Sequence, residues 1–406
     1  MTTPTGLRPA TLLLLMILVA LNLRPALSSL APLLSRVQES LSLSPSTIGA
    51  LTTVPVLCLG LFAPLAPRLS RRLGLERTLS LALLLLAAAL LLRAQHQVVA
   101  LFAGTMLAGA AIGIGGTLLP VLVKREMPER ADLMTGVYTM SLCLGGAFGA
   151  GLSVPLAQWL GGWAPSIASW SALAVVALLA WRLLVPHPWP SGGLGASREK
   201  YPGLARNPLA WQVTGLMGLQ SSLAYIVFGW LPTLLQLRGI GESLAGTMLG
   251  VSVLMQIFSA LAAPWLGRLG RDQRPALLCL LAMSGGGLVL ALVGPDTLLW
   301  PSMILLGLGQ GGCFSLALTL LVLRSSNPAI AAQLSGMAQG IGYCIAALGP
   351  FAVGLLLDLQ VSLGGIGAVM ALVVALAMLF GVLAGRRLQL VVDEDSGAVV
   401  TRPHGR

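Results

Sequence analysis

Apolar runs long enough to cross a lipid bilayer as helices follow one another along the whole chain, separated by short polar or Pro/Gly-containing breaks. Twelve such runs are expected, over residues 11–34, 45–67, 78–92, 98–123, 133–159, 163–184, 209–235, 243–266, 275–293, 297–323, 329–357 and 363–384. The pattern predicts an all-α integral membrane protein whose helices are joined by short connections. One break is longer, PHPWPSGGLGASREKYPGLARNP from Pro186 to Pro208, and it divides the spans into two sets of six. The expected organisation is a helix bundle over 1–184, a loop over 185–207, a second bundle over 208–388 and a tail over 389–406. The tail, polar after a basic stop, reads as disordered.

Composition agrees with the pattern: of 406 residues, 56% are hydrophobic and only 9% charged, and the mean hydropathy is +0.89. The first run carries an exception. Between Arg8 and Arg36 the only charge is Arg24, in LLLLMILVALNLRPALSSLAPLL. An unbroken helix between those arginines spans about 42 Å and centres on Asn22, which puts Arg24 near the bilayer midplane. A charge there costs at least roughly 2.5 kcal/mol. The run is too long for a cleavable signal, and Arg24 interrupts it where a signal needs an unbroken apolar core.

Basic residues in alternate connections set the orientation. With the N-terminus inside, 20 of the 24 basic residues fall on one side and only Arg36, Arg93 and Arg238 on the other, Arg24 being the remaining one. Both termini are therefore expected in the cytoplasm, the membrane being a bacterial-type inner membrane. The net charge of +11 follows from topology and carries no argument for nucleic acid.

The two sets of spans resemble each other. FAPLAPRLSRRLGLERTLSLALLLL near residue 65 matches FSALAAPWLGRLGRDQRPALLCLLA near residue 260. Gly115-Gly116 matches Gly311-Gly312, Pro128 matches Pro328, Thr135-Gly136 matches Ser335-Gly336 and Pro32 matches Pro232, at separations of 196 to 200 residues. Twelve spans in two parallel repeats with a long central loop resemble the major facilitator superfamily. Its signature after the second span, Gly-x-Leu-Ala-Asp-Arg-x-Gly-Arg-Arg/Lys, is met by Leu69, Arg72, Gly74 and Arg77, whereas the first Gly is Pro67, the Asp is Arg71 and a basic position is Leu75. The superfamily's Asp-based gate contact is thus not carried over, while Arg72 and Gly74 keep a conformational role. NLRPALSSLAPLL, LTTVPVLCLGLFAPLAPRLSRRLGLERT and GIGYCIAALGPFAVGLLLD resemble the cyanate permease and 2-nitroimidazole transporter family within it. That resemblance implies transport of a small polar or anionic, cyanate-like solute by alternating access.

The residues point the same way. All 13 acidic residues lie at span ends, in connections or in the tail, so none is placed to pair with Arg24. Its partners are then carbonyls, hydroxyls, water, aromatic faces or a bound anion. Two readings stand: a structural arginine tying down the carbonyl that Pro25 frees, or the positive end of a substrate site, for which a planar, always charged fork suits a small planar anion. In the superfamily fold the first, fourth, seventh and tenth spans line the pathway. That favours Asn22, Ser28, Thr117, Gln220, Tyr225, Gln310 and Ser315, with Tyr138, Gln256, Gln339 and Tyr343 behind them. For any single polar residue the competing reading is an interhelical hydrogen bond worth roughly 0.6 kcal/mol. GAAIGIGG, GGAFGAG and GLGQGG lack the strand and lysine of a phosphate loop and read as close-packing faces. Gly349-Pro350 reads as a flexible point in a gate, and Pro25, Pro32, Pro55, Pro120, Pro155 and Pro232 as kinks.

Cys58, Cys143, Cys279, Cys313 and Cys344 lack metal or disulfide spacing, so no metal or cofactor is expected. Protons are the candidate coupling ion, although Asp132 and Asp358 only border spans and no histidine lies inside one. The expected partners are a small-molecule solute and lipid, the chain acting as a monomer. Two other functions remain: an exporter of neutral nitro-heterocyclic or drug-like compounds with Trp230, Tyr225 and Tyr343 as stacking surfaces, and a non-transporting sensor or enzyme, disfavoured because no paired carboxylate or His cluster occurs.

Overall fold

The computed structural model describes residues 9–126, 131–185, 201–393 and 398–403. Most of the central loop, His187, His404, Pro128 and the side chains of Asp132 and Pro328 lie outside what is described. Among the described residues twelve helical segments are long and apolar enough to cross a membrane, in the order read from the sequence. An even number of spans returns both termini to one side of the bilayer.

The first span is made of three helices, α1 (Pro9–Leu23), α2 (Pro25–Ser28) and α3 (Leu34–Leu41), with a 3-10 turn over Ala31–Leu33. It is therefore not the unbroken helix that the hydropathy suggests. The second span is α4 (Pro45–Phe62), followed by α5 (Leu65–Leu73). The signature of the second connection thus lies on a helix, with Arg71 and Arg72 in its last turn and Gly74 closing it. The remaining spans are α6 (Leu75–Arg93), α7 (Val98–Glu126), α8 (Ala131–Leu160), α9 (Trp163–Leu184), α10 (Pro208–Leu237), α11 (Glu242–Leu269), α12 (Arg274–Val293), α13 (Leu299–Leu323), α14 (Pro328–Asp358) and α15 (Leu363–Ala384). Pro55, Pro120, Pro155, Pro232 and Pro350 lie inside helices. Pro25 and Pro32 lie where the first span is irregular.

The chain clusters into two compact units, residues 1–194 with 227–254, and residues 195–226 with 255–406. In the first, small residues bring backbones together: a Cβ on Gly109 of α7 would lie 2.7 Å from Cys58 Cβ and 2.8 Å from Pro55 Cα of α4. The second has a buried core that includes Leu216, Leu277, Leu281, Leu316, Leu320 and Leu334. There a Cβ on Gly309 of α13 would overlap the Ser284 amide of α12. The Gly-rich runs are packing faces, and without water in the hydrocarbon region such dispersion contacts are the main attraction between spans. Exposed leucines such as Leu61, Leu84 and Leu183 make the surface that lipid covers.

The described part of the tail is folded, contrary to the disorder its polarity suggests. Strands β1 (Leu388–Val392) and β2 (Val399–Pro403) form an antiparallel hairpin. The Leu390 amide donates to the Arg324 carbonyl at 2.8 Å, and the Leu390 carbonyl accepts from the Ser326 amide at 3.0 Å. On the other edge the Val399 amide donates to the Pro202 carbonyl at 2.9 Å, and the Thr401 hydroxyl donates to Asn207 Oδ1 at 2.9 Å. Five residues per strand gain stability here by completing backbone pairs on both edges.

Candidate functional site

Arg24 occupies the break itself. Pro25 lacks the amide that would continue the α1 ladder, so Leu23 is the last residue of α1 and Arg24 adopts φ −89°, ψ −34° between the two helices. Its carbonyl is heavily used, accepting from the Leu27 and Ser28 amides at 3.0 Å each and from the Ser28 hydroxyl at 3.2 Å. Its side chain is not. Nη1 is buried with no hydrogen-bond partner among the described residues, and the guanidinium carbon lies 5.0 Å from the centroid of the Phe228 ring. A cation over an aromatic face gains about 0.5–2 kcal/mol but leaves N–H donors unsatisfied. No described ion pair involves Arg24.

The segment around it is held at close quarters by α8. A Cβ on Gly145 would overlap the Leu21 carbonyl, and one on Gly149 would overlap the Ser28 hydroxyl and lie 2.8 Å from Pro25 Cα. A Cβ on Gly146 would touch Arg24 Cβ at 3.4 Å and Val253 Cγ1 at 3.2 Å. GGAFG is thus the groove in which the broken segment lies. Asn22, buried, donates to the Leu18 carbonyl at 2.7 Å. Thr117, half-buried, donates to the Gly113 carbonyl at 2.7 Å. Gly116 beside it faces open space. Trp230 is 1% exposed, which leaves no face for stacking a ligand in this conformation.

The candidates from the seventh, eighth, tenth and eleventh spans make separate uncharged contacts within the second unit. Gln310 Nε2 donates to the Leu223 carbonyl at 3.4 Å, and its Oε1 accepts from Gln256 Nε2 at 3.3 Å. Gln220 Nε2 donates to the Ser221 hydroxyl at 2.7 Å. Tyr225 and Tyr343 meet edge to face with centroids 6.1 Å apart. Ser315 donates to the Ala260 carbonyl of α11 at 2.9 Å, an interhelical bond, and Gln339 donates to the Ser335 hydroxyl one turn back on α14 at 2.7 Å. Tyr138 is half-buried on α8.

Of the gating candidates, Arg72 is exposed, and Gly74 has φ +89°, a conformation open to glycine at little cost. Gly349 lies against α10, where a Cβ would overlap the Ser222 hydroxyl and lie 2.9 Å from Ile226 Cδ1. Pro350 follows inside α14.

The profile of the Major Facilitator Superfamily matches residues 12–350. The chain belongs to that superfamily. It is 40% identical over 344 residues to the uncharacterized transporter YycB of Bacillus subtilis (strain 168), covering 84% of this chain and 85% of that one. It is 36% identical over 379 residues to the 2-nitroimidazole transporter of Escherichia coli (strain K12), covering 91% and 94%. The cyanate transport protein CynX of the same organism is 32% identical over 353 residues, covering 85% and 89%. The protein is a multi-pass membrane transporter of the major facilitator fold, not an enzyme.

Three features of this facilitator escape the sequence. Phe228 gave no signal, being one apolar residue among many. Arg93, read as lying in a connection, is 2% exposed and donates from Nη1 to the Ala26 carbonyl at 2.5 Å. Arg36 and Glu242 form a bidentate pair, Nε to Oε1 at 2.8 Å and Nη2 to Oε2 at 2.6 Å, next to a bond from the Ser35 hydroxyl to Gln236 Oε1 at 2.7 Å. Opposite charges at two span ends were the available signal, but nothing in the sequence says which ends meet.

Proposed function

We propose that this facilitator is a secondary active transporter of a small polar, anionic solute of the cyanate type, working by alternating access between six-helix halves 1–184 and 208–388 in an inner membrane, with both termini cytoplasmic. The observation that carries the reading is Arg24: a buried, unpartnered Nη1 on a guanidinium held over Phe228, in a span break, with no carboxylate in an ion pair to it among the described residues. A small anion would complete that hydrogen bonding and neutralise the charge. Broken spans are where transporters present such groups. Asn22, Ser28 and Thr117 are the further binding candidates of the first half, and Gln220, Tyr225, Gln310 and Tyr343 those of the second, each taken within its own unit; Arg72, Gly74, Gly349 and Pro350 would act as gating positions. The orientation rests on the distribution of basic residues.

A second reading is export of neutral nitro-heterocycles. The 2-nitroimidazole transporter among the relatives and the aromatic pair Tyr225–Tyr343 favour it. A nitro group offers Arg24 the same planar pair of oxygens as a carboxylate, at lower charge. Uptake of labelled cyanate and of 2-nitroimidazole into proteoliposomes, with and without an imposed proton gradient, separates the two. Cyanate uptake that collapses in Arg24→Ala and partly returns in Arg24→Lys supports the first. Transport of 2-nitroimidazole alone, insensitive to Arg24→Lys, supports the second. Unchanged cyanate uptake in Arg24→Ala overturns the site.

A further inference from the structure

We infer that Arg93 is a positioning residue for Arg24, fixing the broken segment of the first span so that the Arg24 guanidinium keeps its ligand-ready orientation; the inference rests on the proposed site. Arg93 ends α6, and its neighbours Gln95 and His96 are exposed, so solvent was within reach of a side chain of this length. It turns inward instead. The side chain is buried, Nη1 donates to the Ala26 carbonyl at 2.5 Å, and Nε is buried without a partner among the described residues. No described ion pair compensates its charge.

A buried cation without an ion-pair partner carries a large desolvation penalty. Its burial at this position is therefore poorly explained by stability. The place is built for it: a Cβ on Gly104 of α7 would lie 2.6 Å from Arg93 Cγ and 2.7 Å from the Ala89 carbonyl oxygen, so the facing helix leaves room for the stem. Ala26 belongs to α2, a four-residue helix one turn in length that begins directly after Arg24. So short a helix has only two ladder bonds, from the Ser28 amide to the Arg24 carbonyl at 3.0 Å and from the Ser29 amide to the Pro25 carbonyl at 2.8 Å, to set its direction. Gly149 of α8 confines it from one side, and Arg93 donates to its Ala26 carbonyl from α6. The segment is thus fixed by contacts from two other spans, and Arg24 at its start inherits that orientation.

The test is a double-mutant cycle on Arg24→Gln and Arg93→Met in proteoliposomes, measuring KM and Vmax for whichever of cyanate or 2-nitroimidazole the wild type carries. Arg93→Met is expected to raise KM about tenfold with Vmax within about threefold, and to add less than about twofold once Arg24 is Gln. Arg93→Lys restores most of the affinity. Should Arg93→Met prove unstable in detergent, Arg93→Gln keeps a polar side chain but loses the charge and the reach to the Ala26 carbonyl, and is expected to raise KM in the same Arg24-dependent way. An equal rise in KM in both backgrounds, or a fall in Vmax and thermal stability with KM unchanged, overturns the inference while leaving the Arg24 site in place. An unchanged KM in Arg24→Gln alone overturns the site itself.

Discussion

The first and seventh spans are counterparts in the duplicated sequence, Pro32 matching Pro232, yet one is divided into three helices and a 3-10 turn and the other is a continuous helix of 30 residues. The shared proline is therefore not what breaks the first span. At the position matching Arg24 the seventh span has Ala224, followed by Tyr225 in place of Pro25, so the ladder of α10 runs on. At the break the first span has a second proline, Pro25, the glycine groove of α8 against Leu21 and Pro25, and a donor from Arg93 at Ala26. The duplicated halves have diverged in kind: one carries a charged, interrupted helix, the other contributes the uncharged glutamines and tyrosines. A cation in a continuous apolar helix would have its backbone satisfied and its side chain stranded. At a break the backbone and side chain are repositioned together.

The comparison breaks most sharply if the charge can be moved. Arg24→Ala is expected to lower kcat/KM for the anion about 100-fold, since a charge-assisted hydrogen bond contributes up to about 3 kcal/mol. The double variant Arg24→Ala/Ala224→Arg is expected not to recover it. Recovery of proteoliposome uptake would show that position in the repeat matters and the break does not.

Next in size is the groove. Gly145→Ala forces a methyl group into the Leu21 carbonyl and is expected to cost about 1–3 kcal/mol, seen as a lower melting temperature of the detergent-solubilised protein. Gly151→Ala on the same helix, with nothing near its Cβ, is the control and leaves that temperature unchanged. A smaller effect is expected from Pro25→Ala, which lets the α1 ladder continue. Thermal stability should hold or rise by about 1 kcal/mol, while anion KM rises several-fold; a KM equal to wild type would detach recognition from the break. Glu242→Gln weakens the half-exposed pair with Arg36 and should cost about 0.2–1 kcal/mol, less at high salt. Smallest of all, Pro232→Ala in the continuous helix should leave uptake within about twofold, the prolines in long helices being accommodated by their neighbours.

The twelve spans were legible because each is announced by its own length of apolar sequence, a local property. The isolation of Arg24 was anticipated because the carboxylates lie at span ends or outside spans, and among the described residues no ion pair reaches it. Phe228 was not, because which of the aromatics meets Arg24 depends on how spans distant in sequence pack. Arg93 was misplaced for a related reason: next to a polar turn, a basic residue reads as solvent-facing, and only the space left by Gly104 lets it turn inward. The tail misled in the opposite sense. Its composition lacks a core, but β1 and β2 borrow order from Arg324, Ser326 and Pro202, partners that no local pattern reveals.

Sequence alone determined what hydrophobicity and charge dictate one segment at a time: an all-helical membrane protein, its duplication, its superfamily and the single cation in the first span. Tertiary structure decided where that span breaks, what the guanidinium faces and which second arginine holds the segment. In lipid the apolar effect drives each helix into the membrane but does not choose its neighbours. That choice is left to small-residue contacts and buried polar bonds between residues far apart in the chain, and it is these that set the surroundings of Arg24.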